Sequence, residues 1–277
     1  MPPDFQRIVC SNRSYQWCVP AMKGLTHAGQ FVAALRCRFY IGATARPDLR
    51  RELTLSPSAA GLLLSCAFPA SPANPLAFAY GPAWAYVALV PLFASLANSV
   101  RTGHTLGACF RKGWACGTVF SLLTLYWVAF TQGGGPGVVG GTLLLSAYLG
   151  VFAGTFASAL ATLVRSFGSP AWLSAPVLWT ACEYLMTVGE LGFPWLLIGH
   201  SQAAMPSLIQ YAEFTGVYGV SFWIVSVNVT LYLLVAEPLR ANRAVVLGGL
   251  ALLFFVPWIS GIGLTRAHKA TGSRVID

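Results

Sequence analysis

The sequence predicts an all-α fold, a polytopic transmembrane helix bundle with about seven spans. Of 277 residues, 56% are hydrophobic and 9% charged, with a mean hydropathy of +0.65; soluble domains carry about one quarter charged residues. Between Glu52 and Glu183 there is no acidic residue, and the basic ones there, Arg101, Arg111, Lys112 and Arg165, punctuate apolar runs. Those runs approach the ~20 apolar residues that cross a hydrocarbon core. The formal net charge of +9 is scattered over span ends, without the basic stripe interleaved with aromatics that marks a nucleic-acid surface. No nucleic-acid partner is therefore expected.

Residues 1–52 read as a basic N-terminal extension of unassigned fold, with eight Lys/Arg, three acids, three of the seven cysteines and no apolar core for a secretory signal. Residues 53–265 read as a transmembrane domain with segments near 53–70, 76–98, 114–131, 138–164, 170–188, 206–236 and 244–263. Pro69, Pro72 and Pro75 divide the first two, which are read as a hairpin. Charge parity favours this. Seven spans from a cytoplasmic N-terminus put fourteen Lys/Arg inside and three outside, whereas fusing the first two changes the tally to eleven against six. The hairpin reading makes the Gly192–Trp195 loop and the 266–277 tail external.

Gly113-x-x-x-Gly117 and Gly150-x-x-x-Gly154 have the spacing that lets helix backbones approach closely in lipid. The Gly133–Gly137 run lacks the Lys-Ser/Thr of a phosphate loop and reads as an external hairpin. Cys66, Cys109, Cys116 and Cys182 lie in or beside spans without CxxC or His-rich spacing and read as packing residues, Cys109 and Cys116 near the cytoplasmic face. No positioned base or other source of thiolate is assigned to any cysteine, and Gly199–Ala203 lacks the second glycine and the strand of a nucleophile elbow. No catalytic residue, cofactor or metal site is assigned.

The polar signal is concentrated between Gly192 and Asn228. There a Gly-Phe-Pro-Trp turn and a Gly-His-Ser-Gln step precede an apolar run that contains Glu213 and ends on Asn228. Non-helical backbone at membrane depth is tolerated only where protein buries it or it lines a wet cavity. Glu183 lies near the outer end of its span and Glu213 near the outer start of the next, both roughly 7–11 Å deep at 1.5 Å per residue. An ionisable group there costs at least about 2.5–3.5 kcal/mol, which marks both as candidates for function. Glu183, Trp195, His200, Ser201, Gln202 and Glu213 are accordingly candidates for one lipid-binding pocket that opens outward.

These residues carry a family resemblance. Glu183-Tyr184-Leu185, Gly192-Phe193-Pro194-Trp195, Gly199-His200-Ser201-Gln202, Gln210, Gly216–Phe222 and Asn228 resemble the membrane domain of bacterial apolipoprotein N-acyltransferase. Ala67-Phe68-Pro69, Trp84, Val87–Leu92 and Tyr126-Trp127 are similar to that family's opening, so the likeness covers about 55–265. It implies a multi-pass protein of the bacterial cytoplasmic (inner) membrane, with a cytoplasmic N-terminus and an external C-terminus. The implied activity moves an acyl chain from phospholipid, through an enzyme thioester, to the diacylglyceryl-cysteine of a lipoprotein. In the family a nitrilase-like domain supplies that chemistry after the seventh span. Ser273–Ile276 is the expected entry to its first strand, with Asp277 the last residue. The expectation is a truncated form, inactive alone, with phospholipid as partner and a lipoprotein substrate. The alternative is a non-catalytic membrane platform for a separate nitrilase-like or other catalytic chain, including a polyprenyl-phosphate sugar transferase. The family usually carries an Arg three residues after the Glu at position 183, and here that residue is Met186. Glu183 must then be neutral or find Trp, Tyr, His200 or Arg266.

Overall fold

The computed structural model describes residues 56–69, 81–131 and 135–236, with scattered residues between 248 and 266. The 1–52 extension, most of the 244–263 segment and the 267–277 tail lie outside the described residues. Among the described residues every regular element is helical: α1 (Pro57–Cys66), α2 (Val90–Arg101), α3 (Leu106–Leu125), α4 (Gly135–Phe167), α5 (Ala175–Thr187) and α6 (Ala212–Ala236). Short 3₁₀ turns join them. Pro82–Arg101, Leu106–Phe130, Gly135–Phe167 and Ala212–Val235 are each long and apolar enough to cross a membrane.

Two elements fall short of a full span as continuous α-helix. The ten residues of α1 rise only about 15 Å against a core of ~30 Å. Its start is set by Pro57 at the first turn and by Ser56, whose hydroxyl accepts the Ser58 N–H. The Gly81 N–H donates to the Cys66 carbonyl at 3.1 Å, which brings the start of the next segment back to the end of α1. Helix α5 has thirteen residues, but the 3₁₀ turn Ser169–Ser174 runs directly into it. Together they reach about 30 Å.

Helices α3 and α4 form the most extensive pair, and their glycines explain why. A Cβ on Gly113 would strike the Ala153 carbonyl, one on Gly117 would come within 3.0 Å of Gly150 Cα, and one on Gly150 would come within 2.9 Å of the Trp114 carbonyl. The two glycine motifs face each other, backbone against backbone, in the arrangement that substitutes for a hydrophobic drive in lipid. The Trp114 indole donates across the pair to the Ala147 carbonyl at 2.9 Å. Phe93 meets Trp172 and Tyr232 edge to face, with ring centroids 5.8 and 6.0 Å apart, joining α2, the turn before α5, and α6.

Lys112 and Arg165 mark one end of the bundle. Lys112 donates to the Ser95 carbonyl of α2 at 3.1 Å, and the Arg165 guanidinium donates to the His104 carbonyl and lies 3.8 Å from Cys109 Sγ. The 102–105 turn and the end of α4 therefore share one end of the bundle. Since α3 runs away from it, α4 back and α5 away again, the loop after α5 falls at the opposite end. Cys116 departs from expectation. It lies about 15 Å along α3 at helical rise, fully buried within the bundle instead of near its basic end.

Candidate functional site

The loop after α5 is held by three buried polar side chains. Glu183, 4% exposed, turns Oε1 to the Trp179 indole N–H at 2.9 Å and to the backbone N–H of Ile198 at 2.7 Å. Ser221 on α6 stands beside the same carboxyl, and its Oγ accepts the Gly199 N–H at 3.0 Å. Gln202 is completely buried. Its Oε1 accepts from Tyr86 Oη at 2.8 Å, while Nε2 donates to the Pro82 carbonyl and to Ser201 Oγ, both at 3.0 Å. Backbone groups that would otherwise be orphaned in an apolar interior are thus satisfied one by one.

The local sequence dictates this course. Pro194 opens one 3₁₀ turn, Leu197 is extended, and Ile198–Gln202 makes a second turn, closed by the Ser201 hydroxyl on the Ile198 carbonyl at 2.7 Å. Gly199 is required by proximity: a Cβ there would come within 2.6 Å of the Val217 carbonyl and 2.8 Å of Val217 Cγ2. Asn228, one turn further into α6 than Ile224, accepts the Leu89 N–H at 2.9 Å and donates to the Ala85 carbonyl at 2.7 Å and the Ile224 carbonyl at 2.9 Å. Its side chain clamps the irregular 85–89 segment to α6.

The six candidates separate into two groups. Glu183, Ser201 and Gln202 form the interior latch, their polar groups largely occupied. Trp195 is 62% exposed, His200 is half-buried with Nδ1 3.3 Å from the Trp195 carbonyl, and Glu213 is exposed in the first turn of α6. That helix breaks just beyond, at Gly216 with φ +64°, so Glu213 sits on a separate turn from the straight run beginning at Val217. Glu213 is not in the hydrogen-bond shell of Glu183. Of the partners expected for Glu183 in the absence of the Arg, the structure selects a tryptophan, Trp179, together with backbone. Tyr86 belongs to the latch but was not singled out from sequence, since an isolated Tyr in an apolar run carries no signal of its own; Ser221, also in the latch, was marked only as part of the Gly216–Phe222 resemblance and not as a site residue. Among the described residues no three of His, Cys, Asp and Glu gather as a metal site needs.

On the bundle side of Glu183 lies a narrow, almost wholly apolar cleft, partly open to the surface. Phe120, Phe152, Phe156, Trp179 and Met186 line it, and Cys116 and Cys182 contribute their thiols. Glu183 Oε2, which has no hydrogen-bond partner among the described residues, belongs to its one carboxyl group.

Fold and site together define an α-helical integral membrane protein whose irregular inter-span loop is fastened into the bundle by buried polar side chains. The comparisons with known proteins agree. Residues 60–230 match the family model described as the apolipoprotein N-acyltransferase N-terminal domain. The chain is 35% identical over 207 residues to the apolipoprotein N-acyltransferase of Chlorobaculum tepidum, covering 72% of this chain and 34% of that protein. It is 32% identical over 180 residues to that of Geobacter metallireducens, covering 62% of this chain and 31% of the relative. With that of Pasteurella multocida the identity is 32% over 196 residues, or 67% of this chain and 35% of the other. This chain belongs to the apolipoprotein N-acyltransferase family, through its N-terminal membrane domain. Its matched region spans about a third of the length of these curated relatives.

Proposed function

We propose that residues 57–236 hold a phospholipid at the end of the bundle opposite the basic turn, as the membrane part of an acyltransferase that acts on the N-terminal diacylglyceryl-cysteine of lipoproteins. The observation that carries this reading is the latch. Because Glu183, Ser221 and Gln202 fix the 198–202 turn, the neighbouring Trp195 is presented from a loop anchored at both ends. An exposed indole is suited to the level of lipid headgroups, and Tyr184 and Leu191 are exposed on the approach to the same loop. His200 and Glu213 supply the polar groups of the proposed headgroup contact, while Glu183, Ser201 and Gln202 hold the loop from beneath.

Acyl transfer itself is assigned to groups outside these residues. A thioester mechanism needs a thiolate with a base in reach. Cys66, Cys109 and Cys116 are buried, and Cys109 has the cationic Arg165 and Lys112 beside it; Cys182 is half-buried next to Glu183, whose carboxyl is engaged by Trp179 and the Ile198 N–H. We further place the protein in the bacterial cytoplasmic membrane, with the basic end of the bundle on the cytoplasmic side. The test is phospholipid binding to the purified full chain, read by native mass spectrometry. Trp195→Ala and Glu213→Gln together are expected to weaken binding at least three-fold; unchanged binding by a folded double variant would sink the headgroup reading.

A further inference from the structure

We propose that the basic end of the bundle binds the phosphate of one anionic phospholipid between Lys112 and Arg165, beside the 102–105 turn. Charge is segregated along the bundle. The carboxyl groups among the described residues belong to Glu183, Glu190 and Glu213, in the last turns of α5, the loop after it and the first turn of α6, whereas Arg101, Arg111, Lys112 and Arg165 lie toward the other end. Lys112 and Arg165 converge there, since both stand beside the buried Cys109. Each is held by a neutral group, Lys112 by the Ser95 carbonyl at 3.1 Å and Arg165 by the His104 carbonyl. A carbonyl orients a cation without cancelling its charge. Two cations gathered around one thiol repel each other, and an anion that meets both turns the repulsion into attraction.

The free donors select a phosphate. Arg165 reaches His104 and Cys109 through one terminal nitrogen, Nη2, which leaves Nε and Nη1 without a partner among the described residues, and Lys112 has committed one of its three N–H groups. A guanidinium matches two phosphate oxygens in its plane, and an ammonium adds a point charge. The surroundings select a lipid. Leu106 and Trp114 on α3 and Phe167 at the end of α4 are exposed apolar side chains near these cations, suited to cover by acyl chains and of no use to a soluble anion. A zwitterionic phospholipid would bring its own cation into a basic site, so a lipid with net negative charge is preferred. The site lies at the opposite end of the bundle from the proposed headgroup contact at Trp195.

The test is native mass spectrometry of the full chain offered equal amounts of phosphatidylglycerol and phosphatidylcholine with identical acyl chains. Wild type is expected to retain phosphatidylglycerol about ten-fold better, equivalent to about 1.4 kcal/mol. Lys112→Gln with Arg165→Gln should lower that ratio roughly three-fold or more, while Arg165→Lys, which keeps the charge, should change it by less than about two-fold. In nanodiscs, phosphatidylglycerol with a diazirine near the glycerol end of one acyl chain should label Leu106, Trp114 or Phe167, a result that stands even if the double variant does not fold. Equal retention of the two lipids by wild type, a ratio unchanged in the folded double variant, an Arg165→Lys as damaging as the glutamine pair, or label confined to residues 1–52 or to the Trp195 loop would overturn the proposal. Because the quantity read is a ratio between two phospholipids, it fails independently of the total phospholipid binding tested at Trp195 and Glu213.

Discussion

Gly199→Ala tests whether the loop is fastened to α6 as tightly as the geometry requires. The added Cβ would lie 2.6 Å from the Val217 carbonyl and 2.8 Å from Val217 Cγ2, both on α6 and neither the far end of a flexible side chain. The turn must therefore move by several tenths of an ångström. Overpacking of this kind costs about 1–3 kcal/mol. Movement also lengthens the Gly199 N–H bond to Ser221 and the Ile198 N–H bond to Glu183, now 3.0 and 2.7 Å, and polar bonds inside membrane proteins average about 0.6 kcal/mol each. The expected loss is about 2–4 kcal/mol, which for a domain of this size lowers Tm by roughly 5–15 °C. A dye that reacts with thiols reads the transition directly, because Cys66, Cys109 and Cys116 are buried in the folded chain. Ser221→Ala, which removes one acceptor without a clash, should cost under about 2 kcal/mol. A Gly199→Ala Tm within 2 °C of wild type, or a larger loss from Ser221→Ala, would refute the close-packing argument.

Three further outcomes are expected. Gly150→Leu should separate α3 from α4, since the new side chain meets the Trp114 carbonyl and Thr118; a loss of at least about 3 kcal/mol in thermal unfolding is expected, and a neutral result would mean that the glycine faces are not in contact. Reporters fused after Gly134 or Phe193 should be external and those after Arg165 or Arg240 cytoplasmic, as the fourteen-to-three charge asymmetry requires; the reverse at any two positions rejects the orientation. The 277-residue chain, given fluorescent phospholipid and a diacylated lipopeptide, should form no hydroxylamine-sensitive acyl-enzyme. A labelled thioester on any cysteine refutes that assignment, and triacylated product only after a nitrilase-like domain is added in trans assigns the transfer to that domain.

Solvent and element type were legible in the sequence because both follow from local composition. An acid-free stretch from 53 to 182 has to satisfy its backbone within itself, and helices do so segment by segment. The close approach of α3 and α4 was legible for a related reason: a glycine every fourth residue permits a backbone contact wherever it finds a matching face. The Gly192–Gln202 stretch could be marked as special because helix breakers and amides are expensive in a span. What each of its polar groups does was not legible. Gln202 finds Tyr86 across 116 positions and Asn228 finds Leu89 across 139, and no local pattern encodes such pairings. Only the tertiary structure could divide the six candidates, burying Glu183, Ser201 and Gln202 while leaving Trp195 and Glu213 exposed, because hydrogen-bond partners are allotted by which helices meet. Apolar length and residue spacing are properties of a segment, whereas the unpartnered oxygen of Glu183 and the cleft beside it exist only where α3, α4 and α5 come together.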